Sequence, residues 1–231
     1  MRHILIIFSV FLLSFTIISC AKKDDSSSSS SSDGSTGTYQ LATHDYANGV
    51  VTDSSGNVYV TGGAKGGLDG NTSAGNTDLF MLKYNSSGTK QWTKQLGSSG
   101  RDSANAIAID SSGNLYVTGM TFWGLDWNTS AGSNDFFVVK YNSSGTKQWT
   151  EQLGSASSDI ANGVATDSSG NVYLAGVTYG GLDGNSNHDN SDLFVVKYNS
   201  SGTKQWTKQY GTDRYDEARG CLLYTSPSPR D

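Results

Sequence analysis

The sequence predicts an all-β protein, a β-propeller built from four-stranded antiparallel blades. Three observations predict it: a repeat of 57 residues that never slips, a composition dominated by turn formers, and one strand per copy that is apolar on both faces. The motif DSSGN begins at Asp53, Asp110 and Asp167, and NSSGTKQW begins at Asn85, Asn142 and Asn199. The copies therefore run over 46–102, 103–159 and 160–216, with a fourth begun at Glu217. A fixed period of this size marks an array of supersecondary units. The 231 residues include 28 Gly and only 2 Pro, with many Ser, Asn and Asp, as short strands joined by tight turns require.

Within the second copy, small residues alternate over 104–109 and predict a short first strand. Asp110-Ser-Ser-Gly-Asn114 is a turn, in which Asp bonds its own backbone and Gly113 accepts a positive φ. Residues 115–121 form the returning strand. After a long loop, Phe136-Phe-Val-Val-Lys-Tyr141 is a third strand, and a turn over 142–145 leads to a fourth over 146–153. Each copy is thus a four-stranded meander. The third strand has Leu79 to Leu82, Phe136 to Val139 and Leu193 to Val196 on both of its faces, so a neighbouring copy must cover each side. The first strand, rich in Ala and Gly, suits a crowded axis; the fourth, with Gln, Thr and Lys, suits an outer edge. Sheets arranged radially make a propeller. A β-solenoid is the rival architecture, but its coils are usually shorter and lack tight hairpins.

AIAIDSSGNLYVTG followed by DFFVVKYNSSGTKQW resembles the bacterial seven-bladed beta-propeller repeat, SBBP. The likeness covers 39–220 and recurs in three copies. It implies a propeller in a secreted or surface protein and brings no agreed catalytic residues. Propellers close with at least about four blades, so about three blades make an incomplete, open ring. Tyr39-Gln40-Leu41 aligns with the end of a fourth strand and would complete a last blade in an intact ring.

Both ends differ in kind from the repeats. Arg2 and His3 precede an apolar run over 4–18, too short and wrongly flanked for a membrane span, so residues 1–19 read as a secretion signal. The run ends in Ile17-Ile18-Ser19-Cys20, which resembles a bacterial lipobox. The resemblance implies lipidation of Cys20, cleavage before it, and a membrane anchor without a spanning helix. Ala21 after the Cys implies an outer-membrane destination. Residues 20–38 hold seven consecutive Ser and no apolar cluster, a flexible tether. Residues 221–231 break the repeat where a strand should continue, and resemble a translated sequencing adapter; they are set aside as non-native. Cys20 is then the one remaining Cys, which leaves no disulfide or thiol chemistry.

For function, a net charge of −5 without a Lys/Arg cluster argues against a nucleic-acid partner. The turns DSSGN and NSSG repeat unchanged, whereas the loops on the opposite face vary: TFWGLDWNTSAGSN against TYGGLDGNSNHDNS, and GSSGR against GSASS and GTDRY. Such variation on one face is what a binding face on a rigid scaffold shows, or what long loops tolerate by drift. On it, Phe122, Trp123, Trp127 and Tyr179 offer flat surfaces to a glycan or protein, or cover a neighbouring blade. Trp92, Trp149 and Trp206 read as packing. Carboxylates gather there too. Asp45, Asp102, Asp159 and Asp216 precede the first strands and read as turn caps. The loop ends carry Asp69, Asn71 and Asp78, then Asp126, Asn128 and Asp135, then Asp183, Asn185 and Asp192, which either cap turns or bind Ca²⁺ through oxygens. The loop lacks the Gly and Glu of an EF-hand. No other cofactor is expected. His44 and His188 belong to no metal or triad motif, and no nucleophile elbow occurs, so the expectation is no enzyme. The leading reading is a lipid-anchored cell-envelope scaffold binding protein or glycan. A glycan-processing propeller whose active site lies in a missing part, and a structural spacer, are the alternatives.

Overall fold

A computed structural model describes residues 44–220. The expected lipid anchor at Cys20, the tether, the segment at 39–41 and the tail over 221–231 lie outside the described residues. Twelve strands and no helix are found among the described residues. Blade one holds β1 (Tyr46–Thr52), β2 (Val58–Ala64), β3 (Asp78–Tyr84) and β4 (Lys90–Leu96). Blade two holds β5 (Asp102–Ile109), β6 (Leu115–Thr121), β7 (Asp135–Tyr141) and β8 (Lys147–Leu153). Blade three holds β9 (Asp159–Thr166), β10 (Val172–Thr178), β11 (Asp192–Tyr198) and β12 (Lys204–Tyr210). Each sheet is a meander in which sequential strands pair antiparallel. The all-β propeller of about three blades is therefore found, and the solenoid is excluded. The largest boundary difference is at β5, which starts two residues before the expected 104, because the Asp102 N–H donates to the Thr77 carbonyl of blade one at 2.7 Å and draws the chain into the ladder early; β7 starts one residue early and β8 one residue late.

The turns follow from their side chains. In blade two, Asp110 Oδ1 accepts the N–H groups of Ser112 and Asn114, both at 2.9 Å, and Gly113 adopts φ 78°. Asp110 Oδ2 also accepts from the Asn114 amide at 2.8 Å and the Tyr116 hydroxyl at 3.1 Å, which ties the turn to β6. At the next turn Asn142 Oδ1 accepts from Ser144 N at 3.1 Å and Thr146 N at 2.8 Å. Both turns recur in the other copies with the same partners.

Packing between blades buries the apolar strands. Tyr59, Leu79 and Met81 of blade one meet Ile107, Leu115, Val117, Phe137 and Val139 of blade two. Tyr116, Phe136 and Val138 on the opposite face of blade two meet Val164, Leu174, Phe194 and Val196 of blade three. Blade two is thus covered on both faces, and every residue of β7 except Lys140 is buried. In blade three, which has no following sheet among the described residues, β11 alternates buried and half-buried. Trp92 and Trp149 pack as expected, while Trp206, with no following blade over it among the described residues, is left partly exposed. Trp92 lies 6.0 Å from Tyr59, and a Cβ placed on Gly145 of the next blade would stand 3.0 Å from its indole. Trp149 takes the same place under Gly202.

The first strands approach closely because of a repeated bulge. The ladder slips at Asn48, Asn105 and, in β9, around Asn162. A bulged residue is turned out of its own ladder. Asn48 and Asn105 donate to the first strand of the next blade, to Ala104 O at 2.9 Å and Ala161 O at 3.0 Å, and Asn162 donates to Ala218 O at 3.0 Å in the segment after blade three. Opposite the bulge stands Gly62, Gly119 or Gly176, where a Cβ would fall 1.8, 1.9 or 2.0 Å from a carbonyl oxygen. Only Gly fits there.

Candidate functional site

The loops after β2, β6 and β10 share one face with the connections between blades. A parallel bridge joins Thr77 to Arg101, and Phe122 N donates to Arg101 O at 3.0 Å. Three polar side chains brace each long loop. In blade two, Gln152 on β8 accepts from Leu125 N at 2.8 Å through Oε1 and donates to Asp135 Oδ2 at 2.8 Å through Nε2. Asn128 donates its amide to Leu125 O at 2.9 Å. Gln95 and Gln209 do the same for Leu68 with Asp78 and for Leu182 with Asp192. These glutamines read from sequence only as edge polarity. Their recurrence at the repeat spacing was the signal, as it was for Asn48, Asn105 and Asn162.

The acidic residues fall into two groups with opposite electrostatics. Asp102 is fully buried and accepts from Ser98 N at 2.6 Å, from the Ser98 hydroxyl and from the Thr121 hydroxyl. Asp159 repeats this with Ser155 and Thr178, and Asp216 with Thr212. Burial pushes the Asp102 and Asp159 carboxyls above the usual carboxylate range, against the hydrogen bonds they accept. Asp69, Asp126 and Asp183 instead pair with Lys90, Lys147 and Lys204. Lys90, then the Thr93 hydroxyl, hold the Asp69 carboxyl below the usual range. For Asp126 and Asp183 burial opposes the shift, but the lysine and threonine donors outweigh it and the carboxyls are lowered.

The nine residues considered for Ca²⁺ are not gathered around one point. Asp69 faces Lys90 and Thr93, Asn71 presents its amide donor to Leu68 O at 2.7 Å, and Asp78 Oδ2 accepts from Ala74 N and Gln95, both at 2.8 Å. Asp126, Asn128 and Asp135 repeat this set, and so do Asn185 and Asp192, with His188 N at 3.1 Å from Asp192. Asp78 Oδ1 and Asp135 Oδ1 are buried without a hydrogen-bond partner, each beside a Gly. In the third loop Asp192 Oδ1 accepts from His188 N at 3.3 Å, and a single unpartnered carboxylate oxygen in each of the first two is far from the roughly six that a hard cation requires. Among the described residues no three His, Cys, Asp or Glu side chains cluster to hold a metal. The arrangement is that of loop closure.

The four singled-out aromatics stay accessible. Phe122 is 40% exposed, Trp123 50%, Tyr179 44% and Trp127 100%. Phe122 and Trp123 meet edge to face at 5.1 Å, and Trp123 rests against Gly100 of the preceding connection. Tyr215, also on a connection, is 76% exposed, and sequence reading passed over it. His188 lies 3.4 Å from Asp192, while His44 stands at the edge of the described residues. A cleft of about 400 Å³ lies between the outer strands of blades one and two, lined by Lys94, Gln95, Leu96, Tyr141, Gly145, Thr146 and Lys147.

Residues 40–69, 91–121 and 148–183 match the family model of the beta-propeller repeat, SBBP. The regulatory protein FlaEY of Caulobacter vibrioides is 28% identical over 194 residues, covering 75% of this chain and 20% of that protein. An uncharacterized WD repeat-containing protein, L264, of Acanthamoeba polyphaga mimivirus is 28% identical over 174 residues, covering 63% of this chain and 12% of its own length. The chain thus spans a fifth or less of the curated relatives it matches.

Proposed function

We propose that this chain, a β-propeller repeat protein of the SBBP family, is a lipid-anchored scaffold of the bacterial cell envelope that binds a partner through its loop face and performs no catalysis. The observation that carries the reading is the contrast between the two faces. The hairpin turns repeat the same Asp and Asn hydrogen bonds in all three copies, whereas the braced loops opposite them differ, exposing Phe122, Trp123 and Trp127 in blade two, Tyr179 in blade three and no aromatic in blade one. Constant supports under variable, solvent-facing side chains are what a recognition surface on a rigid scaffold needs. The buried carboxylates Asp102 and Asp159 are committed to closing the connections, which supports binding rather than proton transfer. The anchor rests on the lipobox-like residues before Cys20 and the Ser tract after it.

The test replaces residues 122–134 of blade two with residues 65–77 of blade one in the full chain carrying Cys20→Ser, the background for every envelope-retention measurement, so that the lipid anchor does not itself hold the protein on the membrane. The melting temperature should hold, because the bracing residues are common to both loops, while retention on isolated native cell envelopes should fall. Equal retention would reject the binding face. Loss of fatty-acid labelling in Cys20→Ser supports the anchor, and unchanged labelling rejects it.

A further inference from the structure

Blade two departs from its neighbours at two places where the fold favours glycine. In the loops after β2 and β10, positions 66 and 180 are Gly, and so are positions 70 and 184; the loop after β6 has Trp123 and Trp127 there. The backbone at the second place is the same in all three blades. Asp69, Asp126 and Asp183 have φ of 50°, 52° and 54°, and the residues after them, Gly70, Trp127 and Gly184, have φ of 80°, 71° and 80°. A tryptophan in that conformation is strained. It gains nothing in packing, because Trp127 is fully exposed. Neither helix capping, core filling nor interblade contact accounts for it.

The segment that carries it is braced. Gln152 bonds Leu125, Asn128 bonds Leu125, and the Thr150 hydroxyl bonds Asp126 at 2.6 Å, on either side of Trp127. The indole is therefore presented on a fixed support, with Phe122 and Trp123 at the start of the same loop. Beside Trp127, Asp126 is paired with Lys147 and Thr129 is an exposed hydroxyl, while the one exposed cation at the start of the loop is Arg101, whose carbonyl accepts from Phe122 N. A flat ring face flanked by hydroxyls and amides matches a ligand that alternates C–H faces with hydroxyls. A few exposed rings in a polar loop do not make the apolar core of a protein interface.

We propose that the loop over 122–134 is a stacking platform for a neutral polysaccharide, with Trp127 as its principal contact and Trp123 as the second. This deepens the binding reading above and rests on it. The test is affinity electrophoresis of the full chain in gels containing hydroxyethylcellulose, xyloglucan, laminarin or dextran. Trp127→Gly and Trp123→Gly restore the residues of the sibling loops, so folding should be kept, and thermal melting checks it. The expected result is retardation of the wild type in at least one gel, weakened about tenfold or more by Trp127→Gly with no fall in melting temperature. No retardation in any of the four gels, or equal retardation of Trp127→Gly, overturns the proposal. If the chain, with Cys20→Ser for the envelopes, is retained on native envelopes but in no gel, and protease treatment of the envelopes abolishes retention, the occupant is a protein; the platform fails while the binding face stands. If it is retained on neither, both fail.

Discussion

Asn105 is the residue on which the junction of blades two and three turns. Its amide satisfies the Ala161 carbonyl at the crowded centre, and Asn105→Ala leaves that carbonyl without its donor. The expected loss is about 1–2 kcal/mol, measured by urea unfolding with an unchanged slope. Asn162→Ala should lose less, since its acceptors Ala218 and Glu217 lie where the chain is exposed. A steric case sits beside it. Gly119→Ala forces a Cβ to within 1.9 Å of the Ser103 carbonyl oxygen, and main chain cannot yield as a flexible side chain can. Its expected effect is about 3 kcal/mol, whereas Gly70→Ala, which has open space and only the left-handed φ of 80°, should lose about 1 kcal/mol. Equal melting temperatures for the two would contradict the bulge geometry. At Trp127 the sign reverses: Trp127→Gly relieves a strained φ of 71° and removes no buried surface, so it should stabilise by about 1 kcal/mol.

At the scale of elements, the strands and both turns were legible because each is dictated locally. Alternation sets Leu115–Thr121, and Asp110 with Gly113 sets the turn before it. The braces were not legible, since Gln152 reaches Leu125 across 27 residues and Asn105 reaches a different blade across 56. Nothing in the local pattern names such partners; only recurrence in each copy singles them out. The aromatic residues of the site were legible, but the strain at Trp127 was not, because a positive φ on a non-glycine is visible only in the folded backbone. The loops also predict a pH profile. Asp102 and Asp159, raised by burial, bind protons more tightly folded than unfolded, so their contribution is largest in acid and declines as pH rises through their raised values. Asp53, lowered chiefly by Asn57, and Asp69, lowered chiefly by Lys90, behave oppositely; their stabilisation is present above the ordinary aspartate value of about 4 and is lost as pH falls through their folded values. Melting temperature should therefore rise as pH falls through the raised Asp102 and Asp159 values and fall again below about pH 4. Asp102→Asn should flatten the first limb and Asp69→Asn should weaken the second. A profile without a maximum would contradict the assignment.

For the whole molecule, the unequal burial of equivalent residues is what matters. Tyr116, Phe136 and Val138 are fully buried where blade three covers blade two, while their counterparts Tyr173, Leu193 and Val195 are only half-buried, and Trp206 is 38% exposed. On the far face of blade one, Ala64, Leu68 and Phe80 form a cluster with Val60 and Leu82 to which no other described sheet contributes. These two faces are the two halves of an interface that already occurs twice within the chain, between blades one and two and between blades two and three. Blade three of one copy therefore fits blade one of another. Such head-to-tail pairing closes when two copies bring six blades, within the four to eight that propellers use. A further repeat in the same chain competes for the same face. Its first contacts are present, since Asp216 N donates to Ser191 O at 2.9 Å as Asp159 N does to Asn134 O at 2.7 Å. The expected outcome is concentration-dependent self-association of the chain, read by sedimentation velocity. Val195→Lys, in the middle of the open face, should abolish it without lowering the melting temperature of the monomer, because that side chain is not enclosed by a following blade. A wild-type chain that remains monomeric up to about 100 μM, some hundredfold above a micromolar dissociation constant, would show that the faces do not match.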